Sequence, residues 1–281
     1  MSPAALTLDT TYRTRAIPLG SARYWSWLFA DSAARAPLLG VYALLAEWNA
    51  LIDPGTEPTA GRIKLAWWQQ ETQRLIAGTP SHPIGVYLRA LPRAHEVDLA
   101  PLALAFDAVL AESNGAPLEH SADLEPHAAA LRAIPLLIAS QLAAAALDLA
   151  SLQKCAHSLA VGDFLARSVR DYRREARAGR VPFAVDELLA AGIENEDLCA
   201  DQPPPRLEDY LRQLRSRAEK NYSAAVRALP PGRRAPQRHL LVLAALGQKH
   251  LPLPATALES ARLQDMLLAW MTARGALMDK A

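Results

Sequence analysis

The stretch FLARSVRDYRREARAGRVPFAVDELLAAGI, residues 164–193, decides how the rest of the chain is read. Its first part joins Leu152 to Ala178 in one helical run that ends at Gly179, a residue suited to a helix C-terminus. Asp171 and Glu175 are four residues apart, so a helix places both carboxylates on one face. Arg167, Arg170, Arg173, Arg174, Arg177 and Arg180 run through the same stretch as a basic strip. Arginine grips phosphate in a two-pronged way without a metal, so the strip can dock a diphosphate or a lipid phosphate. It is equally what a solvated helix shows where the dipole favours cations near its C-terminus. Val185 to Ala191 then reads as a short helix closed by Gly192.

Working outward, the same vocabulary continues. Ala33 to Ile52 is apolar with little interruption and is closed by Pro54-Gly55. Thr56-Glu57-Pro58 opens a helix that stops at Gly78, and Ser81-His82-Pro83 opens another. Leu99 to Glu112 and Ala122 to Leu149 follow, the latter with a kink expected at Pro135. Leu207 to Leu229, Arg234 to Lys249 and Ala255 to Met278 complete the series. Hydrophobic residues make up 51% of the 281, dominated by the helix-favouring alanine and leucine, while aromatics are 6%. No strand-period alternation and no internal repeat is visible. The expectation is one all-α domain over 1–281, about ten helices around a central apolar cavity, with residues 1–20 as a loose N-terminal arm.

Charge excludes some functions. Thirty basic against 29 acidic residues leave a formal +1, with no global field for nucleic acid. Cys155 and Cys199 form neither a metal-ligand spacing nor a disulfide framework, which fits a reducing, cytoplasmic compartment. The N-terminal residues lack a basic segment followed by an apolar stretch, so no signal peptide is expected. The most apolar run, Ile134 to Leu147, is shorter than a membrane span and carries Gln141. It reads as a buried helix whose alanines allow close approach of another helix or of a flat polyprenyl chain. Peripheral membrane contact stays open. No serine has triad partners in any visible motif, and no glycine-rich phosphate loop is present. Trp67 and Trp68 are adjacent and must point apart, one into the core. His82 reads as a local structural residue at a helix start.

Two segments carry a resemblance. RAPLLGVYALLAEWNALID, residues 35–53, and FLARSVRDYRRE, residues 164–175, resemble the signature segments of squalene and phytoene synthases. GRIKLAWW with SHP after it, and RAEKNYSAAVRALP, also look like family segments, so the likeness runs from about Tyr24 to about Leu251. The resemblance implies the isoprenoid-synthase helical fold. It also implies head-to-head condensation of two prenyl diphosphates with Mg²⁺, which takes oxygen ligands and substrate phosphates. Carried over residue by residue, it implies Tyr42, Asp53 and Asp171 as catalytic residues and Arg35, Arg167 and Arg170 as diphosphate-binding residues. Asn49, Asp53, Asp171 and Glu175 would be the metal ligands.

The sequence departs from that pattern where the metals would sit. Asn49 stands where the family has an aspartate, Ala46 where it has an arginine and Glu175 where it has a later aspartate. Phe164 replaces a glutamine, Arg167 an asparagine and Pro182 a tyrosine. Charge is lost on one helix and a cation is gained on the other. Arg167 and Asp171, four apart, are positioned for an ion pair that competes with Mg²⁺. The chain in this respect resembles the non-catalytic relatives that assist complex I assembly. Those keep the fold without intact Asp motifs, which implies an isoprenoid or a protein partner in place of ordinary synthase activity. An active Mg²⁺-dependent transferase with a reduced site, and a plain helical interaction module without a cavity, are the alternatives.

Overall fold

The computed structural model describes residues 7–52, 58–144, 148–253 and 263–279. The described residues form helices α1 (Thr10–Ala16), α2 (Ala22–Leu28), α3 (Ser32–Ile52), α4 (Pro58–Ala77), α5 (Pro83–Arg89), α6 (Leu102–Ser113), α7 (Leu124–Ala128) and α8 (Ile134–Ala143). They continue as α9 (Leu149–Arg177), α10 (Val185–Ala190), α11 (Asn195–Cys199), α12 (Pro205–Ala228), α13 (Pro231–Arg234), α14 (Arg238–His250) and α15 (Leu263–Met278). Among the described residues there is no strand, only an isolated bridge between Leu118 and Ala184.

The ends of these helices follow from local chemistry. Ser21 and Asp148 accept backbone N–H bonds at the starts of α2 and α9, and His82 Nδ1 accepts from Ile84 at the start of α5. Gly78, Gly179 and Gly192 take the left-handed conformation that ends α4, α9 and α10. The run expected as one kinked helix over 122–149 is broken further than that. A π-turn at Ala129–Ala133 separates α7 from α8. Pro135, one residue into α8, supplies no N–H, and the wider turn absorbs the lost bond. The short helices α1, α2, α11 and α13 were not legible as periodic runs.

The longest helix, α9, lies along α12, and α3 packs against α8. α14 joins α2, α12 and α15. One core cluster runs from Leu8 to Ala276, centred on Tyr42, Trp48, Phe106, Leu159 and Tyr222. Leu8, Ala16 and Ile17 belong to it, so the arm expected over 1–20 is docked from Leu8 onward. Trp68 is buried and Trp67 is 38% exposed, the opposed placement required of adjacent helical residues. Glu71 is buried and accepts the N–H groups of Ser81 and His82, fastening α4 to the start of α5.

Tyr222 is placed by two glycines. A Cβ at Gly247 would lie 2.5 Å from the Tyr222 ring, and one at Gly162 would lie 3.1 Å from it. Gly247→Ala should therefore destabilise by about 1–3 kcal/mol through overpacking, read as the urea midpoint.

His239 is buried in α14 with neither ring nitrogen hydrogen-bonded. Burial, helped by the adjacent Arg238 charge, pushes its pKa down to about 3. The folded state keeps this ring neutral, while the unfolded ring gains a proton near pH 6.5. Stability contributed here is thus full above about pH 6.5 and falls as the pH drops toward 3. Urea midpoints at pH 7.5 and pH 5 should show a smaller drop for His239→Leu than for the parent.

Candidate functional site

α2, α3, α8, α9, α12 and α14 enclose a cavity of about 350 Å³. Its apolar wall is formed by Leu45, Leu136, Phe164, Leu243 and Leu251. The remainder is densely charged: Arg23, Arg132, Asp163, Arg167 and Arg170 all face it, with Tyr42, Asn49, Tyr222 and His250.

α3 contributes Tyr42, Leu45 and Asn49, spaced so that one helix face lines the cavity. The Tyr42 hydroxyl lies 2.8 Å from that of Ser26 in α2. Burial raises the Tyr42 pKa to about 12, so it serves as a neutral hydroxyl at physiological pH. From α12, the Tyr222 hydroxyl donates to Asp163 Oδ1 at 2.8 Å. Burial raises the Asp163 pKa, against the opposing pull of that bond and of Arg132 and Arg170.

The second motif is occupied by arginine. Arg170 donates from Nε and Nη2 to the two oxygens of Asp171, at 3.0 Å each. Arg174 lies 2.8 Å from Glu175 and 3.8 Å from Asp171. Arg180 lies 3.5 Å from Glu175 and also donates to the Ile52 carbonyl, so it ties the end of α3 to the end of α9. Asp171, Glu175, Arg180 and Glu112 surround a smaller hollow of about 60 Å³.

Arg167 makes a different pair from the one its spacing predicts. Its Nη2 lies 2.6 Å from Glu112 of α6, and Asp171 is taken by its neighbour Arg170. Glu112 also sits 3.1 Å from His127 Nε2. A fixed salt bridge across helices wins here because Glu112 is enclosed and offers two anchored oxygens. Burial alone would raise the Glu112 pKa, but His127 and Arg167 outweigh it and bring it to about 2. Phe164, packed edge-on to His127 and under the Arg167 guanidinium, completes this corner.

Of the residues expected from sequence, the structure brings Tyr42, Asn49, Arg167 and Arg170 to the cavity, and Asp171 and Glu175 to the hollow beside it. Asp53 lies outside the described residues. Arg35 lines neither space. It sits two turns before Tyr42, where α3 meets α2, and its guanidinium donates to the Leu28 carbonyl at 3.0 Å on the exposed surface. Arg173 and Arg177, the outer part of the basic strip, reach Asp201.

Sequence reasoning missed Arg23, Glu112, Arg132, Asp163 and Tyr222. Arg132 and Asp163 had a signal, since each is a charge interrupting an apolar helical stretch. Arg23 had none, because α2 is too short to show a period.

The family model for squalene/phytoene synthase matches residues 19–252. The chain belongs to the squalene/phytoene synthase family. Phytoene synthase 1, chloroplastic, of Arabidopsis thaliana is 20% identical over 208 residues, which are 72% of this chain and 49% of that protein. The chain thus spans about half the length of that curated relative. A crystal structure of a dehydrosqualene synthase in complex with ligand superposes with a TM-score of 0.73 at 16% identity, covering 92% of each chain. Squalene synthase HpnC from Alicyclobacillus acidocaldarius superposes with a TM-score of 0.68 at 16% identity, covering 87% of this chain and 94% of that one. The isoprenoid-synthase fold of this squalene/phytoene synthase family member is thereby established, and α3 and α9, which carry the two motif segments, both line its cavity.

The Glu112–Arg167 pair is partly enclosed, with side chains 16% and 28% exposed. Glu112→Gln should cost about 2–3 kcal/mol, somewhat less than breaking a fully buried pair. Because the folded pKa lies below the unfolded one, the contribution of Glu112 is full above about pH 4.5 and is lost as the pH falls toward 2. Urea titrations at pH 7 and pH 3 should show the gap between parent and variant closing at the lower pH.

Proposed function

We propose that this family member binds a single isoprenoid ligand in its cavity and does not carry out Mg²⁺-dependent condensation of two prenyl diphosphates. The observation that carries this reading is the engagement of every described motif carboxylate by arginine: Asp171 by Arg170, and Glu175 by Arg174 and Arg180. Magnesium needs several oxygen ligands free of other cations. Among the described residues no three His, Cys, Asp or Glu side chains converge as a ligand group. Asn49, on the facing helix, brings an oxygen and no charge. The described donor set does not fit a metal cluster.

The size of the cavity supports the same reading. About 350 Å³ is at the lower end of the roughly 300–1,000 Å³ typical for one drug-sized ligand. The apolar wall of Leu45, Leu136, Phe164 and Leu243 suits a prenyl chain, and the guanidinium groups supply the positive potential that metals supply in a cluster.

Tyr42, Asn49 and Arg170 facing one space favours a second reading, in which a transferase persists with a reduced metal site built from Asn49, Asp53, Asp171 and Glu175. Incubation with labelled farnesyl or geranylgeranyl diphosphate and Mg²⁺ separates the two. The expected outcome is pyrophosphate release no greater than the protein-free blank, together with saturable binding of the non-hydrolysable prenyl alcohol. Mg²⁺-dependent formation of a condensed hydrocarbon, lost in Asp171→Asn, would overturn the first reading in favour of the second.

A further inference from the structure

The cavity holds more positive charge than its carboxylates balance. Arg167 and Arg170 are matched by Glu112 and Asp171. Arg23 and Arg132 are not matched in this way. Arg132 leaves the π-turn between α7 and α8, is enclosed by the surrounding helices, and forms no hydrogen bond or ion pair with any described residue. It feels the charges of Arg167, Asp163, Arg23 and Glu112. Arg23, in the first turn of α2, has a buried Nη1 with no hydrogen-bond partner, although other buried donors around it, such as the Tyr222 hydroxyl, are satisfied. The carboxylate nearest in this balance, Asp163, is engaged by Tyr222.

Burying a guanidinium without a partner costs far more than burying one that is hydrogen-bonded and paired. Arg23, with a buried unpartnered nitrogen, and the half-buried Arg132, facing one cavity, describe a receptor for an oxyanion that supplies both charge and acceptors. Planar guanidinium forks match the oxygens of phosphate two at a time. Burial, with the repulsion of Arg167, lowers the Arg132 pKa to about 10, so the group is still a cation at neutral pH.

The cavity extends along α9 to Asp163, before the second motif. Asp163 is eight residues before Asp171 on α9, and Tyr42 is eleven before Asp53 in the chain. At about 1.5 Å per helical residue, Asp163 lies roughly 12 Å along the helix from Asp171. Arg132 interacts electrostatically with both Asp163 and Arg167, so the site takes in the stretch of α9 before Asp171.

We infer that Arg23 and Arg132 form a metal-independent phosphate-binding site in the cavity, which receives either free pyrophosphate or the phosphate of a lipid. The site rests on the cavity being a ligand space and does not require the ligand to be an isoprenoid.

The test is calorimetric titration of the full chain with inorganic pyrophosphate in EDTA, repeated with farnesyl monophosphate. The expected result is saturable one-to-one binding without divalent metal. Arg23→Met and Arg132→Met should each weaken it at least tenfold, and Arg212→Met, on the exposed face of α12, should leave it unchanged. Competition between the two probes assigns the site to a lipid phosphate, while binding of pyrophosphate alone assigns it to the free anion. Absence of saturable binding up to millimolar pyrophosphate, or binding indifferent to both substitutions, overturns the inference.

Thermal melting in phosphate-free buffer provides a second readout. Removing an unbalanced buried cation should leave the melting temperature of Arg132→Met unchanged or higher, and the pyrophosphate-induced rise should vanish. A large fall would assign Arg132 to the fold and contradict the inference. Where Arg132→Met does not fold, Arg132→Lys keeps the charge, loses the fork and should still weaken binding. Pyrophosphate binding without prenyl alcohol binding would sink the isoprenoid reading of the preceding section and leave this site standing.

Discussion

The pairing of guanidinium with carboxylate along the second half of α9 is the constraint on which the rest of the site depends. Arg170 on Asp171, Arg174 and Arg180 on Glu175, and Arg167 on Glu112 neutralise the acidic face with side chains of the chain itself. Charge-assisted, two-oxygen contacts of this kind are strong and directional. Once made, they fix the separation of α3 and α9, since Arg180 also holds the last turn of α3 through the Ile52 carbonyl.

Arginine also shapes the interior. Arg23 and Arg132 add two further guanidiniums inside the cavity, where Asp163 is the one described carboxylate of the lining. Tyr222, slotted between Gly162 and Gly247, holds Asp163 in place, and Ser26 holds Tyr42. These bonds give the interior a fixed polar lining, so a ligand meets preorganised groups rather than mobile side chains. The exposed apolar residues of α15, Leu267, Trp270 and Met271, are a separate feature of the surface, and no described helix is long and apolar enough to cross a membrane.

The fold was legible because long helices announce themselves. The apolar run that becomes α3, the glycine stops at 78, 179 and 192, and the ordered motif segments were enough to place the architecture. Local pairing was not legible in the same way. The spacing of Arg167 and Asp171 pointed to a pair on one helix, whereas the observed partner of Arg167 is 55 residues away in the chain. Helical spacing states which groups can meet, and the tertiary approach of α6 decided which did. Arg35 shows the reverse error. It stands at a motif position, yet α3 has already left the cavity there. Arg23 and Arg132 escaped notice because one lies in a seven-residue helix and the other in a π-turn, where periodicity carries no signal.

The central claim is that arginine has taken the place of divalent cations at the motif carboxylates. Titration of the protein with Mn²⁺, followed by the loss of the free-ion paramagnetic resonance signal, tests it most directly. The account predicts no saturable site tighter than about millimolar, and a site that emerges when Arg170 and Arg180 are both replaced by glutamine. A stoichiometric micromolar Mn²⁺ site in the parent protein, abolished by Asp171→Asn, would contradict it.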